Sequence, residues 1–137
     1  IKLDPMDGLE VGFGVGETAS TTAAQTDDHD TMYVTYVYGP LTVGYQVSNV
    51  ETYGSTADDE QTRYGILYAV NDELSISYQA HESEDSTLTV DEEATGISAS
   101  YTTGGMTFKA HRNTADDVNN AVSNESEHTE IGVTFAF

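Results

Sequence analysis

The sequence predicts an all-β protein, an antiparallel up-and-down β-barrel that crosses a membrane. Three observations predict it. The final stretch, 128–137, places Ile131, Val133, Phe135 and Phe137 on one parity and Glu130, Gly132, Thr134 and Ala136 on the other. This is a strand with one apolar and one small or polar face. The same alternation recurs along the chain between connections that strictly alternate, long loop then short turn. A bilayer barrel has this asymmetry, with short turns on one side and long loops on the other. Finally, the apolar positions named for each strand below carry no charge in a chain with 24 Asp plus Glu against four Lys plus Arg, as expected where a charge would meet lipid.

Eight strands are expected within a single barrel segment, 1–137. Residues 1–7 are a polar lead-in with a Pro breaker. The first strand, about 8–17, alternates Leu9, Val11, Phe13 and Val15 with Glu10, Gly12, Gly14 and Gly16. The second, 31–38, has Met32, Val34, Tyr36 and Tyr38 on its apolar parity, although Tyr33 and Val37 blur it. Gly39-Pro40 turns the chain into the third, 41–50, built on Leu41, Val43, Tyr45 and Val47. A polar loop leads to the fourth, 62–70, with Tyr64, Ile66, Tyr68 and Val70. Asn71-Asp72 is a tight turn, because both residues tolerate positive φ. The fifth, 73–81, alternates Leu74, Ile76, Tyr78 and Ala80 with Ser75, Ser77, Gln79 and His81. An acidic loop, 82–94, precedes the sixth, 95–102, with Ile97, Ala99 and Tyr101 outward. Thr103-Gly104-Gly105 turns into the seventh, 106–113, with Met106, Phe108 and Ala110 outward. The eighth is 128–137. Strands of this length suit a tilted bilayer crossing.

The composition sets limits. A formal charge of -20 excludes nucleic acid as a partner, because phosphate contacts need Lys and Arg. The absence of Cys excludes disulfides and thiolate chemistry. No run of about 18 apolar residues exists, so no transmembrane helix is expected. The chain opens on Ile1, so an upstream part, a signal peptide or a longer segment, is expected to be missing. Most of the acids fall in the four long loops, with no Lys or Arg beside them. Tyr38, Tyr68, Tyr101, Phe108 and Phe137 sit near the short-turn ends on the outward parity, as one aromatic girdle. Phe13, Tyr45, Tyr64 and Tyr78 lie higher. A soluble acidic β-sandwich also predicts alternation, but neither the loop asymmetry nor the aromatic edge.

The segments 68–78 (Tyr-Ala-Val-Asn-Asp-Glu-Leu-Ser-Ile-Ser-Tyr), 95–109 and the terminal Ile-Gly-Val-Thr-Phe-Ala-Phe resemble the carboxy-terminal half of a bacterial general porin of the alphaproteobacterial type. The likeness runs from about residue 8 to 137 and rests on strand pattern and turn style. It implies a trimeric channel in the bacterial outer membrane, built from sixteen-stranded barrels, for passive diffusion of small hydrophilic solutes and ions. It also implies that Phe137 is part of the signal read by the barrel-assembly machinery. Partners are then membrane lipid, the solutes, two further copies of the chain, and remaining barrel strands on a missing segment. The alternative is a complete small eight-stranded barrel with a structural or adhesion role. The small inward residues, such as Gly12, Gly14, Ser77, Ser98 and Gly132, favour the wide lumen, since side chains fill a closed eight-stranded barrel.

Arg63 and Lys109 have lumen parity, and by resemblance are candidate pore-wall cations; pairing with a neighbouring acid is the alternative. Gln46, Gln79, His81, His111 and Glu130 complete the expected pore lining, and His128 also points inward, with His81, His111 and His128 near the outer mouth. Arg112 has outward parity near the rim and suits a headgroup or loop contact. The acidic mouth is expected to favour cations. No catalysis, no cofactor and no metal are expected, beyond weak Ca²⁺ binding by runs such as Asp27-Asp28-His29-Asp30 and Asp91-Glu92-Glu93, which lack EF-hand spacing. Gly12-Phe13-Gly14-Val15-Gly16 lacks the helix a nucleotide loop needs.

Overall fold

The computed structural model describes residues 1–19, 26–53 and 58–136. Nine strands follow one another: β1 (Lys2–Met6), β2 (Leu9–Ala19), β3 (Thr26–Tyr38), β4 (Leu41–Glu51) and β5 (Asp58–Ala69), then β6 (Leu74–Asp85), β7 (Glu92–Thr103), β8 (Met106–Asp116) and β9 (Ser126–Phe135). They form one antiparallel sheet in the order of the sequence, with β1 and β9 as its two edges. A 3₁₀ turn, Val118–Asn120, sits between β8 and β9.

Two expectations are corrected. The count is nine rather than eight, because the lead-in forms β1, paired to β2 through Lys2–Gly12, Leu3–Val11 and Met6–Leu9. Pro5 reads as a breaker because it has no N–H to give the ladder. Here β1 lies at a sheet edge and its register shifts between Leu3 and Met6, the setting in which a strand tolerates Pro. The strands also run further toward the long loops than the apolar alternation suggested. Asp27, Asp28 and Asp30 lie within β3, Asp58, Asp59 and Glu60 within β5, and Glu82, Glu84 and Asp85 within β6. Once both faces of a strand are polar, the hydrophobic signal ends while the backbone ladder continues.

The registers divide the sheet into two faces. On one, β5 presents Tyr64, Ile66 and Tyr68 opposite Tyr45, Val43 and Leu41 of β4, and opposite Ala80, Tyr78 and Ile76 of β6. On the other, Gly44, Gly65, Gln79 and Gly96 line up across four strands, and Ser77, Ser98 and His111 across three. Hydroxyl pairs tie neighbouring strands on this polar face: Thr31 with Ser48 at 2.8 Å, Ser77 with Ser98 at 2.7 Å and Thr102 with Thr107 at 3.0 Å.

No apolar interior joins the faces. Among the described residues the only buried hydrophobic side chain is Ala80, while Phe13, Met32, Ile97, Ile131 and Phe135 stand exposed. A soluble domain hides its apolar face against a second layer. This sheet has one layer, so the apolar face is left for lipid or for another surface.

Candidate pore wall

The polar face holds the residues expected to line a pore. Gln46, Arg63 and His81 lie on one cross-strand row from β4 to β6. Gln79 sits on the next row toward the short turns, between Gly65 and Gly96. Lys109 faces Gly132, and His111 faces Glu130. Tyr33, Gln46, Arg63, Gln79, His81 and Asn113 border a recess of about 570 Å³ on this face. Glycines make room for it. At Gly96 a Cβ would come 2.6 Å from Asn113 Oδ1 and 3.2 Å from the Gln79 side chain.

Neither wall cation is neutralised by an acid among the described residues. Arg63 Nη2 donates to Gln61 Oε1 at 2.9 Å, and no carboxylate lies within ion-pair distance of Arg63 or Lys109. Arg112 differs. It projects on the apolar face, opposite Ile97, and is held by Glu127 at 2.8 Å.

The sequence reading passed over one group. Lys2 Nζ meets Glu10 Oε2 at 2.7 Å, and the Tyr33 hydroxyl donates to Glu10 Oε1 at 2.7 Å. All three side chains share the polar face near the β1 edge. Tyr33 blurred the parity of its strand because an aromatic residue stood where small or polar ones were expected. Its ring lies over Gly12 of the paired strand, where a Cβ would collide with it. An aromatic residue opposite a glycine is the sequence signal for such packing, once the register is known.

The aromatic residues cluster on the apolar face beside the short turns. Tyr38 pairs with Leu41, which pairs with Tyr68; Leu74 pairs with Tyr101, which pairs with Phe108. The Tyr101 hydroxyl reaches Glu73 at 3.2 Å, and Tyr36 and Tyr38 stack at 6.5 Å. Phe137, expected as both girdle member and assembly signal, lies outside the described residues.

The acidic runs do not converge on one point. Consecutive strand residues face opposite ways, so Asp28 and Asp30 share one face while Asp27 and His29 share the other. The acids gather across strands instead. Glu82, Glu84 and Asp91 bring oxygens within 4.8 Å of one another at the long-loop end. There the negative charge of Asp91, partial desolvation, and the charges of Glu82 and Glu60 hold the Glu84 carboxyl above its ordinary pKa. Asp85 moves the other way, because the Thr87 hydroxyl at 2.6 Å and backbone N–H at 2.8 Å both donate to it.

A family model described as Gram-negative porin matches residues 2–137. Sequence comparison with curated proteins finds no match. Among solved structures, in-vitro folded OmpT, an outer membrane protein of Vibrio cholerae, superposes with a TM-score of 0.64 at 16% identity, over 95% of this chain and 52% of that one. Outer-membrane expressed OmpT of Vibrio cholerae gives a TM-score of 0.65 at 14% identity, with the same coverage. The trimer form of the in-vitro folded protein gives 0.56 at 15%, over 93% of this chain and 51% of that one. The chain thus spans about half the length of these structures, whose likeness is one of fold. The two-faced sheet, its turn pattern and the match over residues 2–137 lead to one conclusion: the chain belongs to the Gram-negative porin family, and its setting is the bacterial outer membrane.

Proposed function

We propose that this chain forms part of the wall of a water-filled outer-membrane channel for passive diffusion of small hydrophilic solutes and ions, with a preference for cations. The observation that carries the proposal is the division of a single-layer sheet into an exposed apolar face and a small, polar, recessed face. The apolar face meets lipid, with Tyr38, Tyr68, Tyr101 and Phe108 at the headgroup level near the short turns. By family resemblance, Phe137 is the assembly signal. The polar face meets water, with Gln46, Arg63, Gln79, His81, Lys109, His111 and Glu130 as pore lining. Arg63 and Lys109, without acid partners among the described residues, act on passing ions from the wall, while the acids at the long-loop end concentrate cations at the mouth. The role is conductive rather than catalytic.

The two sheet edges support a larger barrel. An unpaired strand edge is not stable against lipid, so β1 and β9 need partners. Further strands, sixteen in the complete barrel by resemblance, would supply them. The trimer form recorded for the Vibrio cholerae OmpT structure supports a homotrimer here. The test is planar-bilayer conductance of the whole protein, with reversal potentials across a salt gradient. Discrete steps with a cation-selective reversal potential are expected. No steps at any voltage would sink the channel, and anion selectivity would sink the cation preference alone.

A further inference from the structure

We infer that the β8–β9 ladder carries a binding site for one divalent transition-metal ion on the polar face, formed by His111, His128 and Glu130. The site goes beyond the diffusion channel, since a general channel needs no resident metal. The register creates it. His111 of β8 stands directly opposite Glu130 of β9, and His128, two residues before Glu130, stands opposite Asn113. All three side chains therefore rise from one face within a single patch. Glu130 Oε2 lies 3.7 Å from His111 Nε2 and 3.7 Å from His128 Nε2. The two imidazole rings sit 5.8 Å apart, and one donor atom from each residue falls within 4.8 Å of the others.

Metal–nitrogen and metal–oxygen bonds near 2.0–2.2 Å place tetrahedral ligand atoms about 3.4 Å apart. The two contacts to Glu130 are already close to that spacing. The imidazole nitrogens, already within 4.8 Å of each other, need close by no more than about 1.4 Å to reach that spacing, which rotation of two partly exposed side chains allows on a rigid ladder. A neutral imidazole offers a nitrogen lone pair to a metal ion. Two nitrogens and one carboxylate suit Zn²⁺, Cu²⁺, Ni²⁺ or Co²⁺, whereas Ca²⁺ and Mg²⁺ seek oxygen throughout. The donor set carries one negative charge within a chain of formal charge -20, which favours any cation entering it. His81, the third histidine expected near the mouth, takes no part, because it lies on β6 against Arg63 and Ala94.

The test uses the whole detergent-folded protein with ZnCl₂ in calorimetry and CuSO₄ in electron paramagnetic resonance, so the readout is independent of conductance. One site with nitrogen coupling from imidazole is expected. His111→Ala or His128→Ala should weaken binding by about tenfold or more, and the double substitution should remove the nitrogen signal. His29→Ala, on β3 and hydrogen-bonded to Thr18, should change nothing. Wild-type affinity in the double variant, or oxygen-only coupling in the wild type, overturns the site. If a variant fails to fold, the wild type decides. Zn²⁺ should protect His111 and His128, but not His29, from diethyl pyrocarbonate, and equal modification of all three overturns the proposal.

Discussion

Ile66 and Gly65 are neighbours on β5 that face opposite media, and a charge placed on each measures that difference. Ile66 projects between Tyr64 and Tyr68 on the apolar face and is 43% exposed. Gly65 projects on the polar face between Gly44 and Gln79, where an added Cβ would make only ordinary contacts, 3.5 Å to Tyr78 O and 3.8 Å to Gln79 Cβ. Ile66→Lys puts an ammonium in the lipid band and should destabilise the folded barrel by about 2–4 kcal/mol, with snorkelling of the Lys stem drawing it toward the lower value. That is roughly a thirtyfold to thousandfold shift in the folding equilibrium. Gly65→Lys, wetted by the lumen, should stay within about 0.5 kcal/mol. The assay is urea-titrated folding of the whole protein into lipid vesicles, followed by tyrosine fluorescence, since this chain has no Trp. Equal costs at the two sites, or a neutral Ile66→Lys, would refute the assignment of the faces. A soluble sheet whose apolar face met water would give that neutral result.

Three further outcomes are expected. Gly12→Val should push the Tyr33 ring aside and break its bond to Glu10; near-ultraviolet circular dichroism should lose tyrosine signal, and Tyr33→Ala should suppress the effect of the Gly12 change on folding. If Arg63 lines the proposed pore, Arg63→Glu should move the reversal potential toward stronger cation selectivity, because it replaces a cation that no acid among the described residues opposes with an anion; an unchanged potential would remove Arg63 from the proposed pore wall. Glu84 has its folded pKa raised by the charge of Asp91 first, so its favourable contribution is fully present below the unfolded value near 4.5 and is lost as pH rises through the raised folded value. Glu84→Gln should therefore slow hydrogen exchange at the long-loop end of β6 at pH 7, and the gain over wild type should vanish below about pH 4.

The apolar half of each strand was legible in the sequence because Ile, Val, Tyr and Leu recur at period two against Gly, Ser and Thr. The short turns were legible because Gly39-Pro40, Asn71-Asp72 and Gly104-Gly105 have local turn chemistry; Gly39, Gly104 and Gly105 take positive φ, whereas Asn71 and Asp72 do not, and that turn is held instead by Asn71 Oδ1, which accepts from the N–H groups of Glu73 and Leu74. The upper strand halves were hidden because Asp, Glu and Thr occupy both parities there, and nothing local separates a polar strand from a loop. β1 was hidden by Pro5. That Arg63, Lys109, Gln79, His81, His111 and His128 share the polar parity followed from period two alone. Which of those side chains meet did not, because that depends on the register between strands. His111 and Glu130 lie nineteen residues apart in sequence, and a slip of one residue between β8 and β9 would send one of them to the other face. The same register dependence hid the Lys2–Glu10–Tyr33 group.

The pairing order, each strand with its neighbours in sequence, has a kinetic consequence. Every hairpin in this sheet can zip from its own turn, a local event on the microsecond scale. The edges of β1 and β9 have no such shortcut. They must find partners far away along a chain or on another one, and loop-closure entropy makes that slow. The sheet therefore waits with two adhesive borders. It is at those borders, rather than at any loop, that an assembly factor would have to hold the protein to keep it from pairing with the wrong strand.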